Sequence, residues 1–482
     1  QSFKKMVVQK REISGGENKP SNRVRGTNDF WPIEVLNYLT TPDDQSILNG
    51  EIFSHIEQSF FQVGERYGFQ RFRTPLLEER AIFERTLGEQ VRKEMFTATR
   101  YRHCRQDDPV LRPEATASVM RAVIDRFGNH KAFERNLRLA YAGPMFRYER
   151  PQTGRFRQFH QVGAEFMNTP TTDPQMTGWH EAEVIGFGAA FLSALGIPST
   201  AYQLSLNSLG CQETLQSYTN ILREYLVQVE DELSPFSQER VRRGNYLRVL
   251  DSSNPIDAPI IEQAPIISDY YSDADKERFD TICQHLEALQ INYQLEPTLV
   301  RGLDYYRHTI FEFKLNPTAF ETVPLGPSQS TLLAGGRYDQ LATMMGHRHG
   351  IDAVGFAAGI ERLAMVTHTL QESLCSNQAS NPILGIVVVR EEDKKLTRAL
   401  DSYALELLNR VRQSDALSNW KIHGVNNSGT IPTQIRKLMK KYPDQERPLY
   451  AIIIGKQELE NNQLGFKDLR AAKQMTLDRD KL

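Results

Sequence analysis

Hydrophobic and polar positions along this chain repeat with the periods of helices and strands. Apolar residues recur at three- and four-residue spacing from Leu48 to Tyr67, which predicts an amphipathic helix that ends at Gly68. The segment FQRFRTP then predicts a strand that ends near Pro75. PVLRPE predicts a short strand that runs into a helix. The apolar face of that helix is formed by Val119, Met120, Val123, Ile124 and Phe127.

Two extended segments are predicted to fold back on each other through a Pro-Gln-Thr-Gly turn at 151–154. Proline fixes φ, and glycine accepts the positive φ that turns often require. Side chains alternate along a strand, so the return segment presents one face made of Phe159, Gln161, Gly163 and Glu165. A carboxylate and an amide on one face are typical of a sheet face open to water or of a pocket floor. The spacing alone leaves both interpretations open.

Four arginines surround this turn: Arg147, Arg150, Arg155 and Arg157. Guanidinium groups pair in a two-pronged way with carboxylates and phosphates. Their density favours a pocket floor with an anion-binding clamp above it.

The rest of the chain contains an insertion and a separate final domain. Residues 208–296 are polar and helical, and we expect little site chemistry from them. Leu299–Phe313 and Thr331–Leu341 predict two adjacent strands, and Ala353–Val366 predicts a strand followed by a helix. From Asn381 onward strands and helices alternate, which predicts a separate α/β domain.

Composition excludes several classes of protein. The 482 residues are 40% hydrophobic and 24% charged, as in an ordinary globular protein. No apolar run approaches the ~18 residues that cross a membrane, and the first residues lack the hydrophobic core of a secretory signal. The four cysteines are far apart, which argues against a disulfide framework and favours a reducing compartment, with the cytoplasm as the expected location.

Charge and glycine patterns narrow the possible partners. Residues 381–482 carry a net charge of +5 and the remainder −7, which suggests a polyanion bound locally by the final domain. The chain contains neither GxGxxG nor GxxxxGK[ST], so a bound nucleotide would use neither of those glycine loops. The HRH at 347–349 predicts an exposed loop and no metal site.

Five segments together resemble the signature segments of histidyl-tRNA synthetase, a class II aminoacyl-tRNA synthetase. They are LRPEATA, FRYERPQTGRFRQFHQVGAEF, LVRGLDYY, AGGRYD and AVGFAAGIERL, in the family's order between Arg25 and Val366. LVRGLDYY resembles a signature specific to histidine enzymes. Two departures, Ala115 where glycine is frequent and Tyr148 where histidine also occurs, remove no charge.

The resemblance implies a fold and a set of ligands. The fold is α/β with an α+β catalytic core: an antiparallel sheet flanked by helices, a helical insertion and a C-terminal mixed α/β anticodon-binding domain. The ligands are L-histidine, ATP, Mg²⁺ and tRNA(His), with no membrane partner. A homodimer would form through the first long helix and the strand that ends at Pro75. The implied boundaries are a leader at 1–22, a catalytic domain at 23–207 and 297–370, the insertion at 208–296, a linker at 371–381 and the anticodon-binding domain at 382–482.

The resemblance also assigns arginines to the reaction. Arg147 resembles the arginine that holds the ATP α-phosphate and the histidine carboxylate. Arg362 resembles one that stacks on adenine and reaches the γ-phosphate, although a surface arginine paired with Glu361 has the same pattern. Arg155 lies where the hairpin approaches the outer phosphates. Arg301 matches a histidine-specific catalytic arginine, with a structural ion pair as the alternative.

The substrate amino acid is implied to lie among polar residues. Glu114 and Thr116 match positions that hold the α-amino group, although a carboxylate where strand becomes helix often only caps amides. The wall around the amino acid matches Gln161, Glu165, Tyr305 and Tyr306, of which the first two would meet the imidazole N–H groups. No metal ligands are implied among the protein residues.

Three alternative functions compete with that of a histidyl-tRNA synthetase. A regulatory subunit of ATP phosphoribosyltransferase shares the catalytic fold, but it is expected to lack the C-terminal domain and these arginines. A synthetase for threonine, proline or glycine would leave LVRGLDYY unexplained. A stand-alone tRNA-binding module would not need so many ATP-directed residues.

Overall fold

The predicted first helix is present as α1 (Gly50–Arg66), and it buries Phe60 and Val63 while polar residues face outward. It ends before Gly68, whose φ of +77° is the left-handed conformation that glycine adopts easily. The computed structural model describes residues 27, 50–87, 89–99, 108–127, 136–168, 170, 174–300, 303, 305–320, 323–326, 329–348, 350–374, 382–389, 392–414, 417, 420–423, 430–442 and 448–478.

An eight-stranded sheet dominates the part of the chain before residue 364. The strands of this part, including a separate β2–β3 pair, are β1 (Gln70–Arg71), β2 (Leu77–Glu78), β3 (Val110–Leu111), β4 (Leu137–Phe146), β5 (Gln158–Asn168), β6 (Tyr202–Ser208), β7 (Gln294–Leu295), β8 (Arg307–Leu315), β9 (Thr331–Arg337) and β10 (Asp352–Gly359). The order of the large sheet is β1-β4-β5-β10-β9-β8-β6-β7. Among these described pairs, only the two outermost, β1 with β4 and β6 with β7, are parallel.

Helices accompany this sheet, and aromatic packing joins them to it. Phe187 stacks on Phe60 with ring centroids 5.2 Å apart and meets Phe356 of β10 edge to face at the same distance. The helices that follow α1 are α2 (Arg80–Thr86), α3 (Glu89–Lys93), α4 (Thr116–Phe127), α5 (Pro174–Ala194), α6 (Gln212–Gln228), α7 (Pro235–Arg242), α8 (Ala258–Glu262), α9 (Asp273–Ala288), α10 (Leu341–Met344) and α11 (Ile360–Leu374).

The predicted hairpin is β4 and β5, which pair in antiparallel register from Leu137↔Met167 to Phe146↔Gln158. Gly154 closes the connection with φ +69°, and the backbones of Gln152 and Arg155 exchange hydrogen bonds of 3.1 and 2.9 Å. The turn thus forms where proline and glycine predicted it.

One predicted strand starts later than expected. The strand predicted from Leu299 begins only at Arg307. His308 has φ +50°, and the register with β9 shifts between Arg307 and Ile310, so the regular ladder is interrupted there. Tyr305 and Tyr306 therefore precede the strand, and their side chains need not point to opposite faces of the sheet as neighbouring strand residues do.

The chain divides into two compact units. The first includes Ser59–Ala194 and Pro198–Leu363, so the predicted insertion falls in the same unit as the predicted catalytic segments. The second includes Ala364–Leu482. The domain boundaries proposed from sequence stay predictions, and most of the linker at 371–381 lies outside the described residues.

The C-terminal unit contains a five-stranded mixed sheet with helices on both of its faces. The elements are β11 (Ile383–Val388), α12 (Lys394–Gln413), β12 (Lys421–His423), α13 (Ile431–Lys441), β13 (Leu449–Ile454), α14 (Lys456–Glu460), β14 (Gln463–Asp468) and β15 (Gln474–Asp478). The strand order is β12-β11-β13-β14-β15, with β11 parallel to both neighbours and the last two pairings antiparallel. The predicted α/β fold is confirmed here.

Candidate active site

A cavity of about 410 Å³ opens beside β5, β9 and β10. It brings together eight of the residues that the sequence predicted for the site: Glu114, Thr116, Arg147, Arg155, Gln161, Tyr305, Tyr306 and Arg362. Arg301 lies outside the described residues, so its role stays a prediction.

Three of these residues form the arginine cluster: Arg147, Arg155 and Arg362. Arg147 directly follows the hairpin strand β4, and its Nε donates to the carbonyl oxygen of Pro113 at 2.9 Å. Its guanidinium also lies 5.3 Å from the ring centroid of Phe159. A carbonyl oxygen and an aromatic face thus orient this cation, and its Nη1 also lies 3.9 Å from a carboxylate oxygen of Glu149.

Arg362, in the first turn of α11, is held by neutral groups as well. Its Nε donates to the carbonyl of Gly154 at 3.1 Å and its Nη1 to that of Thr331 at 2.9 Å. Burial, followed by the charges of Arg155 and Arg147, lowers the pKa of Arg362 to about 10. The side chain remains charged at neutral pH, and the like charges around it favour an anion in the cavity.

The alternative of a surface arginine paired with Glu361 does not describe this structure. The Glu361 carboxylate instead accepts from the backbone amide of His160 at 2.9 and 3.0 Å, and lies 3.0 Å from the Nδ1 atom of the same residue. Arg155 is the most open member of the cluster: its side chain is 41% exposed, and its Nε lies 2.8 Å from Glu149.

Arg157, a third arginine of the predicted clamp, contacts other residues of the hairpin. Arg157 places its guanidinium 3.9 Å from the ring centroid of Tyr148, one of the positions where the sequence departs from the family. Only two of the four hairpin arginines, Arg147 and Arg155, line the cavity among its described residues.

A second group of residues, the carboxyl cluster, comprises Glu114, Thr116, Tyr141, Glu165 and Tyr338. Glu114 accepts from the amides of Thr116 and Ala117 at 2.8 and 2.9 Å, so it caps α4 as the simpler interpretation predicted. It also lines the cavity. Burial raises the pKa of Glu114, against the lowering effect of those two amides.

Glu165 lies at the centre of the carboxyl cluster and is 1% exposed. Its Oε1 accepts from Thr116 Oγ1 at 2.7 Å and from Tyr141 Oη at 3.2 Å, and its Oε2 accepts from the Tyr338 hydroxyl. Burial raises the pKa of Glu165 to about 8. Among the described residues, Thr116 and Tyr141 line the cavity and Glu165 does not, so Glu165 lies behind that wall.

Two glycines make room for this arrangement. A Cβ atom at Gly355, the register partner of Glu165 on β10, would lie 1.8 Å from Glu165 Oε2. A Cβ atom at Gly163 would lie 2.3 Å from the hydroxyl of Tyr141, which is opposite it on β4. Both glycines are therefore required by close approach of a polar side chain.

Sequence reasoning missed Tyr141 and Tyr338. Tyr338 is part of AGGRYD, so the segment was noticed without a role for its tyrosine. A glycine in mid-strand opposite an aromatic residue was the available signal for Tyr141. Burial raises the pKa of both hydroxyls, which keeps them protonated and able to donate.

The insertion also reaches the cavity, contrary to the expectation that it carries little site chemistry. Arg248 and Asp251 are among the lining residues. They flank Val249 and Leu250, which are buried in the hydrophobic core and fix the segment. Sequence periodicity did not show this because the segment is a 3₁₀ turn (Tyr246–Val249) with no long repeat.

Known proteins resemble this chain along almost its full length. The family model described as Histidyl-tRNA synthetase matches residues 50–363. The histidine–tRNA ligase of Rickettsia akari (strain Hartford) is 36% identical over 94% of this chain and 97% of its own length. The chain belongs to the histidyl-tRNA synthetase family.

Solved structures agree with this membership. The crystal structure of apo S. aureus histidyl-tRNA synthetase matches with a TM-score of 0.68 at 26% identity, covering 96% of this chain and 98% of that one. A Bacillus halodurans C protein described as an ATP phosphoribosyltransferase regulatory subunit/histidyl-tRNA synthetase matches with a TM-score of 0.57 at 18% identity, covering 91% and 100%. The second likeness shows the fold alone.

The predicted family, fold class and enzyme class are thereby confirmed. This member of the histidyl-tRNA synthetase family is a class II histidine–tRNA ligase, which joins histidine to tRNA for translation. Within the described part of the chain, helices of a length and apolarity suited to crossing a bilayer are absent. Groups of three or more His, Cys, Asp or Glu side chains suited to a metal ion are likewise absent from the described residues.

Proposed function

We propose that the cavity between the arginine and carboxyl clusters forms histidyl-adenylate from L-histidine and ATP. A carboxylate oxygen of histidine attacks the α-phosphorus, the bond from that phosphorus to the bridging oxygen breaks, and pyrophosphate leaves with the electron pair. The carboxylate, with a pKa of ~3.5, is already ionised at neutral pH, so no general base is needed. The juxtaposition of three guanidinium groups with a buried carboxyl cluster carries this proposal.

The arginine cluster gathers the two anions and stabilises the charge that develops on phosphorus. Arg147 donates from a fixed position beside Glu114 and is assigned to the α-phosphate and the histidine carboxylate. Arg362 and Arg155 are assigned to the adenine side and to the outer phosphates. Because carbonyl groups already orient Arg147 and Arg362, little reorganisation is needed as the reaction proceeds.

The carboxyl cluster recognises the rest of histidine. Glu114 and Thr116 take the ammonium group. The imidazole faces Gln161, Tyr305 and Tyr306, and Glu165 acts on it through the Thr116 and Tyr141 hydroxyls that it holds. A site of this kind rejects an amino acid that lacks ring N–H groups, because its own buried polar atoms would be stranded. Arg301 completes the catalytic cations in this proposal.

Mg²⁺ fits the cavity because Mg²⁺ is usually held by one or two carboxylates together with substrate phosphates. Glu149 and Glu312 line the cavity and are the carboxylates that would hold it. When bound, the ion neutralises phosphate charge and orients the pyrophosphate leaving group.

We further propose that tRNA(His) accepts the histidyl group, that the basic C-terminal unit binds the tRNA, and that the enzyme acts as a cytoplasmic homodimer. Exposed apolar side chains directly after Pro75 support a contact between two copies, since Leu76 and Leu77 are 41% and 50% exposed. Sedimentation of the intact chain tests this assembly, and a monomer at working concentration would contradict it.

ATP–pyrophosphate exchange with each of the twenty amino acids tests the proposed activity. We expect exchange with histidine and at least ~10⁴-fold less with the others. Exchange that favours another amino acid, or none with histidine, would overturn the proposal.

A further inference from the structure

A buried ion pair joins strand β9 to helix α5. Arg337, the last residue of β9, is 1% exposed, and Glu181 of α5 is 0% exposed. The Nε atom of Arg337 donates to Glu181 Oε1 at 3.0 Å. Neither residue is among the described residues that line the cavity. Taking two charges out of water costs about as much free energy as their attraction returns, so stability alone does not explain this pair.

The Arg337 guanidinium also fixes the segment that follows β9. Its Nη1 donates to Asp339 Oδ1 at 2.8 Å, and the same oxygen accepts from the backbone amide of Ala353 in β10 at 2.8 Å. Tyr338 lies between these two charged residues, and its own amide donates to the carbonyl of Ala353 at 2.8 Å. The backbone of Tyr338 is therefore held by the residues on both sides of it.

Tyr338 connects this fixed backbone to the carboxyl cluster. Its side chain is buried, and its hydroxyl donates to Glu165 Oε2. Its ring centroid lies 5.7 Å from that of Tyr305 and 6.3 Å from that of Tyr306, and both of those residues line the cavity. Hydrogen bonds weaken steeply when their length or angle changes, so the position of Tyr338 determines how Glu165 is held.

We propose, on the basis of the proposed function, that Arg337 is a positioning residue for histidine, which acts through Tyr338 and Glu165 without contacting the substrate. An arginine suits this role because one planar group carries several donors in a fixed fork. In this structure the fork bonds Glu181 through Nε and Asp339 through Nη1. Helix α5 thereby sets the position of a side chain of the carboxyl cluster.

Removing both charges of the buried pair tests this role, since neither is then left without the other. Arg337→Met combined with Glu181→Leu should fold, because apolar residues often replace buried ion pairs without loss of stability. The Kd for histidine, measured by calorimetric titration, should rise about 3- to 30-fold, as for loss of a hydrogen bond. The Kd for ATP should change by less than about twofold. A purely structural pair would change the Tm and neither Kd.

Tyr338→Phe tests the route by which Arg337 acts. This substitution removes the hydroxyl that bonds Glu165 and keeps the ring, so it should raise the Kd for histidine to a similar degree. In the Tyr338→Phe background, Arg337→Met with Glu181→Leu should then change that Kd by less than about twofold. Fully additive losses would show that the effect does not pass through the Tyr338 hydroxyl, and would overturn the inference.

The matched control is a second ion pair between α5 and the large sheet. Arg138 of β4 and Glu183 of α5 lie 2.7 Å apart. Arg138→Met combined with Glu183→Leu removes the same two charges and should leave the Kd values for histidine and ATP within about twofold of normal. A loss of histidine affinity in this control as large as that of the Arg337 variant would also contradict the inference.

Arg337→Lys provides a second variant that keeps the buried positive charge. A lysine cannot bond Glu181 and Asp339 with the same fork, so the affinity for histidine should still fall at least about threefold. Normal histidine binding by Arg337→Lys, or equal losses for histidine and ATP, would overturn the inference. Absence of histidine binding in the unaltered enzyme would instead refute the proposed function, and this inference with it.

Discussion

The arginine cluster and the carboxyl cluster lie at one cavity, yet they are built in opposite ways. Arg147 and Arg362 both donate to carbonyl oxygens, and Arg147 also lies 3.9 Å from the Glu149 carboxylate. Glu165 has hydroxyl donors on both oxygens, and burial raises its pKa to about 8, so it is mostly protonated at neutral pH. The arginine cluster thus presents guanidinium groups to a ligand. Glu165 of the carboxyl cluster, by contrast, has hydrogen-bond partners on both of its oxygens before any ligand binds.

This difference follows from the ligands that each cluster must bind. Phosphates and a carboxylate are anions, and a cation fixed in a partly water-excluded site stabilises them strongly. An imidazole is a neutral or weakly basic ring that is recognised by the direction of its N–H groups. The arginine cluster should therefore act mainly on rate, and the carboxyl cluster mainly on affinity for histidine.

The largest expected effect comes from Arg147. Arg147→Ala should lower the single-turnover rate of adenylate formation by ~10²–10³, because one preorganised charged donor is removed from the developing phosphorane. Arg147→Lys should recover only part of this rate, since a point charge cannot reproduce two-pronged binding. A folded Arg147→Ala variant, with an unchanged Tm, that forms adenylate at the normal rate would show that the cluster does not act on the reaction.

A smaller and more selective effect is expected at Glu165. Glu165→Ala removes both carboxyl oxygens, so the hydroxyls of Thr116, Tyr141 and Tyr338 lose their shared hydrogen-bond partner. The KM for histidine should rise ~5- to 100-fold, as expected when a buried polar group is stranded. The KM for ATP should stay within about threefold, because the arginine cluster is unaltered. Equal increases in both KM values would contradict the separation of the clusters.

The last expected effect concerns stability instead of catalysis or substrate affinity: the free energy of unfolding should depend on pH. Glu165 binds its proton more tightly when folded than when unfolded, because burial raises its pKa from an ordinary value to about 8. Its contribution is complete below the unfolded pKa and is lost as the pH rises through 8, at no more than about 1.4 kcal/mol per pH unit. Urea denaturation between pH 5 and 8 should therefore show a steeper loss of stability in the unaltered enzyme than in Glu165→Gln. Parallel profiles would contradict the raised pKa.

Sequence reasoning recovered the arginine cluster more completely than the carboxyl cluster. Arg147, Arg155 and Arg362 lie in segments whose turns and family resemblance identify them, and all three line the cavity. Glu165 was found, but its position behind Thr116 and Tyr141 was not, because that depends on which strands are neighbours in the sheet. The pairing of β5 with β10 brings Gly355 beside Glu165, and no local pattern encodes it.

The same limit explains the other differences between prediction and structure. The late start of β8 follows from the positive φ of His308 and the register shift beside it, which a strand pattern does not reveal. Arg248 reaches the cavity through tertiary packing of Val249 and Leu250. Helices and strands were thus predictable from the periodicity of apolar residues. Contacts between distant segments were predictable only where both segments belong to recognised motifs.

Calorimetric titration of histidine and ATP, each added alone, tests the separation of the two clusters most directly. Arg362→Ala should weaken ATP about tenfold or more, as expected from loss of a charged hydrogen-bonding partner, and leave histidine within about threefold. Glu165→Ala should do the reverse. If either variant lost affinity for both ligands to the same degree while keeping its Tm, the two clusters would form one undivided site, and the assignment of a separate ligand to each cluster would be wrong.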